Sequence, residues 1–162
     1  MLPTLQVKDN FLSEKEFNIL TSSLGEITYT QAMNNLHGNY GFKCEFAPDP
    51  GNEWLFTKIK KIFFPNTNLK TMGCAYHLRH NHKKVLSHVD ESDYNFILYL
   101  KGRKLVFNGT GLYYKNELNT YVGFVENRAI FFNGKDTVHS DLQALGESSF
   151  RHSINIFYNN DN

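Results

Sequence analysis

The sequence predicts a mainly β domain in an α+β layout, with helices first and a sandwich or jelly roll after them. Three observations carry this. Aromatic residues make up 15% of the 162 residues, with 14 Phe and 9 Tyr, and aromatic side chains favour strands. From residue 70 onward the chain breaks into short alternating segments separated by turn residues, the pattern of an antiparallel β fold and not of a parallel α/β sheet. Before residue 70, two stretches carry helical periodicity instead. No internal repeat, low-complexity tract or Pro/Gly/Ser linker divides the chain, so 1–162 reads as one domain: a helical N-terminal region over residues 1–69, then a jelly-roll core over residues 70–160.

The elements follow in order. Ser13 and Glu16 make an S-x-x-E capping box, Phe17, Leu20 and Leu24 follow at helical spacing, and Gly25 supplies a stop. A second helix is predicted from about Glu53 to Phe64, with Leu55, Ile59 and Ile62 on one face and Pro65 just beyond; Lys58, Lys60 and Lys61 form its solvated side. Strands are predicted at Thr71–His77, Val85–Asp90, Tyr94–Leu100, Lys104–Phe107, Gly111–Tyr114, Tyr121–Val125, Arg128–Phe132, Thr137–Ser140 and Arg151–Tyr158. Asn34 to Gly41 has the turn chemistry of a loop able to fold over a bound substrate. Leu78 to Lys84 reads as a solvated loop near a site mouth.

Composition narrows the function classes. Lys plus Arg number 17 against 16 Asp plus Glu, a net charge of +1, and a phosphate-backbone binder needs a clustered basic face. No apolar run approaches the roughly 18 residues of a membrane span, and the N-terminus does not read as a signal peptide. Cys44 and Cys74 make no disulfide framework and read as reduced thiols. A cytoplasmic protein with no nucleic-acid or membrane partner is the expectation; the sequence does not speak to oligomeric state.

Seven histidines remain, and some are placed for chemistry. In Ser87-His88-Val89-Asp90, alternation along a strand puts His88 and Asp90 on one face, able to hold one ion. His139, in Asp136-Thr137-Val138-His139, can supply a third ligand. Two imidazoles and a carboxylate on one face of an ion make the triad of non-haem Fe(II) oxygenases, with coordination positions left open. Downstream, Arg151-His152-Ser153-Ile154-Asn155-Ile156-Phe157-Tyr158 alternates so that Arg151, Ser153, Asn155 and Phe157 share a face. A guanidinium inside a barrel needs an anion, and Arg grips a carboxylate as a fork. Cys74, His77, His80 and His82 could instead suggest zinc, although their spacing is irregular. His37 and His152 read as ordinary, Arg128 as a turn-facing charge, and Phe131 and Phe132 as core.

On these residues the sequence resembles the Fe(II)/2-oxoglutarate-dependent dioxygenases, in their prolyl-4-hydroxylase-like branch. The resemblance runs from about Met72 to Tyr158, through Cys74-Ala75-Tyr76, His88-x-Asp90, Phe96 to Leu100, Arg128 to Phe132, His139 and the Arg151 strand; Asp9 to Ser13 also looks like a domain start of this family. It implies a double-stranded β-helix with the N-terminal helices packed on one sheet. It implies Fe(II) held by His88, Asp90 and His139, and 2-oxoglutarate held at its distal carboxylate by Arg151, with Tyr99 donating a hydrogen bond and Ser153 contributing. Tyr76 is expected to join this co-substrate pocket; Asn95, Ile97 and Phe157 are expected in the substrate pocket. The resemblance also implies that the metal ligands are the catalytic centre, with O2 as co-substrate and ascorbate as an auxiliary reductant.

The resemblance further implies hydroxylation of a peptidyl prolyl-type or amino-acid substrate, with succinate and CO2 as products. Collagen-type prolyl hydroxylases use lysine where Arg151 stands, so the match leans toward hypoxia-type and microbial enzymes. The rivals are a non-catalytic jelly-roll binding module, an oxygenase acting on another small metabolite, and a zinc hydrolase, for which Glu91 is the nearest general base in sequence. An alkylation-repair demethylase would carry a second arginine where this chain has Phe157.

Overall fold

Residues 4–34, 38–82 and 86–161 are described by the computed structural model. In chain order the elements are β1 (Leu5–Lys8), α1 (Glu14–Ser22), β2 (Thr30–Asn34), β3 (Gly38–Phe46), α2 (Glu53–Phe63), β4 (Leu69–His82), β5 (Tyr94–Gly102), β6 (Thr110–Tyr114), β7 (Glu117–Val122), β8 (Ala129–Asn133), β9 (Val138–Ser140) and β10 (Leu145–Asn160). Two antiparallel sheets result among the described residues: one of seven strands ordered β1-β8-β5-β10-β4-β3-β2, and one of three ordered β7-β6-β9. This is the mainly β, jelly-roll architecture that the strand pattern predicts.

Alternation decides what each face of the large sheet covers. Phe96, Leu98 and Leu100 of β5, Phe131 of β8, and Ile154 and Ile156 of β10 meet Leu20, Leu55, Ile59 and Phe63 from the helical side. Phe131 is the hub, stacked on Phe63 at 5.5 Å and on Tyr94 at 5.4 Å between ring centroids. The opposite residues, Ile97, Tyr99, Ile130 and Phe132, pack with Val122 and Phe124 toward the small sheet. The central strands are therefore covered on both faces, which is why Phe96 to Leu100 of β5 reads as an unbroken apolar run.

Both helices form where the sequence places them, although on α2 it is Phe63, and not the expected Ile62, that is buried with Leu55 and Ile59. Ser13 caps α1 and its backbone N–H donates to Glu16 Oε2 at 2.7 Å, completing the capping box. The same carboxylate accepts from Lys58 of α2 at 2.5 Å, so one of the lysines assigned to the solvated side ties the two helices together. Hydrogen bonds from Lys58 and from Ser13 hold Glu16 down to about 2.

Other expectations are corrected. The chain before residue 70 is not only helical: β1 pairs with β8, and the β2–β3 hairpin extends the sheet from β4. Those strands are short or polar, so they are held by pairing more than by their own pattern. The expected loop at Asn34–Gly41 is that hairpin, with residues 35–37, His37 among them, outside the described residues. Gly41 lies at φ 114°, and a Cβ there would meet the Leu78 carbonyl oxygen at 2.6 Å, so glycine lets β3 approach β4 closely. The expected loop at Leu78–Lys84 is strand as far as His82, because β10 continues to pair with it, and Lys83 and Lys84 lie outside the described residues. Lys104–Phe107 is a turn closed by Asn108 N–H donating to the Leu105 carbonyl, with Val106 87% exposed at its tip. Of the strand expected at Val85–Asp90, Val85 lies outside the described residues and the rest is not a strand, since His88 makes only an isolated bridge to His139. Lys115 and Asn116, both at positive φ, turn β6 into β7 and start β7 ahead of the expected Tyr121.

Among the described residues no helix is long and apolar enough to cross a membrane.

Candidate metal centre and its pocket

Two backbone hydrogen bonds assemble the centre. His88 N–H donates to the His139 carbonyl at 3.1 Å and His139 N–H to that of His88 at 2.8 Å. This single reciprocal pair joins the segment after β4 to β9 of the small sheet, so the two imidazoles lie side by side, 4.4 Å between ring centroids. Asp90, two residues past His88, is fixed by its own N–H donating to the Gly134 carbonyl at 3.0 Å. Its Oδ2 lies 3.2 Å from His139 Nε2 and its Oδ1 3.5 Å from His88 Nε2. The ligand atoms of His88, Asp90 and His139 all fall within 4.8 Å of one another, the one such group among the described residues.

The surrounding hydrogen bonds suit a metal. His88 Nδ1 lies 2.8 Å from the Leu86 carbonyl and His139 Nδ1 3.0 Å from that of Thr137. A carbonyl can only accept, so each Nδ1 carries the proton and each Nε2 lone pair is left facing Asp90, the arrangement in which histidines bind metals. Asp90 accepts from the Asn95 side-chain amide, whose oxygen accepts from Ser92 Oγ at 2.5 Å. Burial would raise the Asp90 carboxyl; in the metal-free protein a proton on the facing Nε2 of His139 or His88, standing where a metal would, hydrogen-bonds to it and holds it far below the usual carboxylate range. Gly134 leaves room for this support, since a Cβ there would meet Asn95 Oδ1 at 2.8 Å and the Ser92 carbonyl at 2.6 Å.

The triad opens on a cavity of about 310 Å³ that lies between the sheets. Arg151, 5% exposed, forms part of its wall, as do Ser153, Asn155 and Phe157, the face that alternation along β10 predicts. Ser153 Oγ donates to Asn155 Oδ1 at 2.9 Å. Asn95 and Ile97 line the cavity too; Asn95, expected as a substrate contact, is the support of Asp90.

Two expected pocket residues lie elsewhere. Tyr76 falls on the opposite face of β4 from His77 and Arg79, against the helix-side core and 5.0 Å from the Phe46 ring; strand parity turns it away from the cavity. Tyr99 lies behind Arg151, its ring 5.4 Å from the guanidinium carbon and its hydroxyl 2.7 Å from Thr110 Oγ1. It braces the arginine from below and does not reach the cavity. The zinc grouping is not assembled either, because alternation separates His77 from Cys74 and His80. His80 Nδ1 meets the Ser149 carbonyl at 3.3 Å. Arg128 forms a fork with Asp9 at 2.5 and 2.9 Å, a structural pair remote from the cavity wall. His152 is paired with the Tyr29 hydroxyl at 3.1 Å.

Sequence reasoning missed two charged residues of the wall. Asp141 Oδ1 accepts from Arg151 Nη2 at 2.9 Å, and its Oδ2 lies 3.9 Å from Arg79 Nε. Asp141 stands two residues past His139, the same spacing that pairs His88 with Asp90, and this was the available signal. Burial would lower Arg151, but Asp141 and the Tyr99 phenol oxygen raise it above its ordinary value. Arg79 is lowered by burial, which Asp141 does not fully offset. His77, beside them, is pushed down to about 3 by burial and by Arg79, so its imidazole is neutral at pH 7.

No protein-family model matches the sequence, and no curated protein matches it. Solved structures match along nearly the whole chain. A prolyl hydroxylase from Trichoplax adhaerens, in complex with a peptide fragment of the hypoxia-inducible factor oxygen degradation domain, superposes at TM-score 0.74 and 13% identity, over 98% of this chain and 84% of its own. A prolyl-4-hydroxylase from Pseudomonas putida gives 0.69 at 14% identity, over 98% and 94%. A non-haem α-ketoglutarate-dependent carbocyclase of nogalamycin biosynthesis gives 0.73 at 12% identity, over 96% and 79%. These likenesses establish the double-stranded β-helix fold of 2-oxoglutarate–Fe(II) oxygenases, in its prolyl-4-hydroxylase-like form.

Proposed function

We propose that this protein is an Fe(II)- and 2-oxoglutarate-dependent dioxygenase that hydroxylates a peptidyl, prolyl-type or amino-acid substrate. The observation that carries the reading is the convergence of His88 Nε2, Asp90 and His139 Nε2 on one point at the end of a cavity walled by a buried arginine. Two neutral imidazoles and one carboxylate are the donor set that suits Fe(II) with open positions. When bound, iron and 2-oxoglutarate supply O2 activation, with succinate and CO2 as co-products and one oxygen atom delivered to a substrate C–H.

The chain's own residues set the conditions. His88, Asp90 and His139 would hold iron on one side and leave the cavity side open. Asn95 keeps the Asp90 carboxylate in place, and the two backbone carbonyls keep both imidazoles in the Nε2-donating form. Arg151, braced by the Tyr99 ring, would take the distal carboxylate, with Ser153 beside it. Ile97 and Phe157 present apolar surface that limits water at the reacting centre. Asn34 and Tyr40, from the β2–β3 hairpin, reach the same cavity and would contact the substrate. The peptide held by the Trichoplax enzyme supports a peptide substrate. A small metabolite is the second reading, favoured by the likeness to the carbocyclase.

The test is product detection. Iron-loaded protein with 2-oxoglutarate in air should release succinate, and release should rise in step with a one-oxygen mass gain on the right member of a panel of proline-containing peptides and free amino acids. Succinate that never forms, with any panel member or without one, would refute the reading.

A further inference from the structure

Arg79 and Arg151 are direct register partners on β4 and β10, and both side chains line the cavity at 12% and 6% exposure. Two like charges facing each other across neighbouring strands are destabilising, and more so when buried. Among the described residues one carboxylate serves the two: Asp141 reaches Arg151 with one oxygen and Arg79 with the other. These three side chains together carry one positive charge.

The donors of the pair are only partly committed within the described residues. Arg151 Nη1 is taken by the carbonyls of Asn108 and Gly109 at 3.1 and 2.8 Å, whereas its buried Nε has no partner among the described residues. Arg79 donates through Nη1 to the Tyr40 carbonyl, and its guanidinium sits 5.2 Å from the Tyr40 ring centroid. His77, the register partner of Ser153, faces the same space as a neutral group and adds no charge.

We propose that Arg79 and Arg151 form a two-arginine seat for a single carboxylate, with Asp141 as a built-in counter-ion that sets its charge at +1. This deepens the co-substrate reading above and rests on it: the seat takes the distal carboxylate of 2-oxoglutarate, and Arg79 is a second binding residue beside Arg151. With the ligand in place, two guanidinium groups and two carboxylates alternate and the buried charge is zero. Asp141 is then a specificity device, because without it the seat would carry +2 and favour a dianionic tail such as a phosphonate.

The count makes a prediction that simple loss of a contact does not. Arg79→Gln leaves Arg151 neutralised by Asp141, so the seat has no charge for the ligand. Arg79→Gln with Asp141→Asn restores +1. The experiment is anaerobic calorimetry of 2-oxoglutarate, and of pyruvate as a 2-oxo acid without a distal carboxylate, on Mn(II)-loaded protein. Arg79→Gln should raise the 2-oxoglutarate Kd at least about tenfold, about 1.4 kcal/mol, and leave pyruvate unchanged. The double variant should return to within about threefold of wild type, the margin expected when coupled charges are removed together. Wild-type affinity in Arg79→Gln, or a double variant no better than the single, overturns the proposal. If Arg79→Gln does not fold, Arg79→Lys decides: it keeps the charge, so binding within about threefold of wild type supports the count and a loss of about tenfold overturns it. Wild-type protein that binds pyruvate but not 2-oxoglutarate defeats the seat alone, and wild-type protein that binds neither defeats the co-substrate reading with it.

Discussion

Removing the Asn95 side chain tests whether the metal centre is oriented from outside its ligands. Asn95 is 2% exposed, and its amide donates to the very Asp90 oxygen that lies 3.2 Å from His139 Nε2. Ser92 Oγ fixes which end of the amide faces Asp90, by donating to Asn95 Oδ1 at 2.5 Å. A hydrogen bond to a charged group contributes roughly 1.5–3 kcal/mol. In Asn95→Ala the carboxylate is free to rotate, and loss of such a supporting contact lowers metal affinity about 10–100-fold, about 1.4–2.7 kcal/mol. Anaerobic competition for Fe(II) or Mn(II) against a chromophoric chelator measures this directly, with thermal unfolding of the metal-free protein as the control for fold. Asn95→Ala that binds metal as wild type does would refute the reasoning, because Asp90 would then be placed by its backbone alone.

Three further perturbations follow from the fold. Phe131→Ala removes a ring stacked between Phe63 and Tyr94 and should lower stability by about 3–5 kcal/mol in urea unfolding; a loss under about 1 kcal/mol would contradict the hub assignment. Ser13→Ala breaks the α1 capping box and should lower stability by about 1 kcal/mol without changing metal affinity. Burial, with Arg79 and Lys43, pushes His77 down to about 3, whereas an unfolded chain protonates it near 6.5. The unfolded state therefore binds more protons between those values, and stability falls as pH drops from 6.5 toward 3, by at most about 1.4 kcal/mol per pH unit from this group. His77→Asn should flatten that slope, and an unchanged slope would place the acid sensitivity elsewhere.

The residues legible in the sequence are those whose roles depend on neighbours a few positions away. The Ser13–Glu16 box, the apolar run of β5 and the alternation of β10 are local patterns, and each appears in the element expected to carry it; α2 forms as expected too, with Phe63 and not Ile62 completing the buried face of Leu55 and Ile59. The His88-x-Asp90 pair is local as well, although it lies beside an isolated bridge and not in a strand. What was not legible depends on register. Arg79 reads as part of a solvated loop until β4 is seen to continue opposite β10, which sets it across from Arg151. Asp141 has no motif of its own, and its role follows only from the arginines that converge on it. Tyr76 shows the same limit in reverse: its strand was legible, but a shift of one residue in parity moves a side chain from cavity to core. Strands β1 to β3 escaped because four to nine residues with mixed polarity carry too little pattern without their partners.

The central claim is that His88, Asp90 and His139 hold Fe(II) with room for a 2-oxo acid that Arg151 anchors. Anaerobic titration with Fe(II) and then 2-oxoglutarate, followed by visible absorption, tests it most directly. The account predicts a weak metal-to-ligand charge-transfer band in wild type, no band in His88→Ala, and in Arg151→Ala a band that needs far more 2-oxoglutarate while iron remains bound. A wild-type protein that binds zinc tightly and gives no response to 2-oxoglutarate with any metal would contradict it.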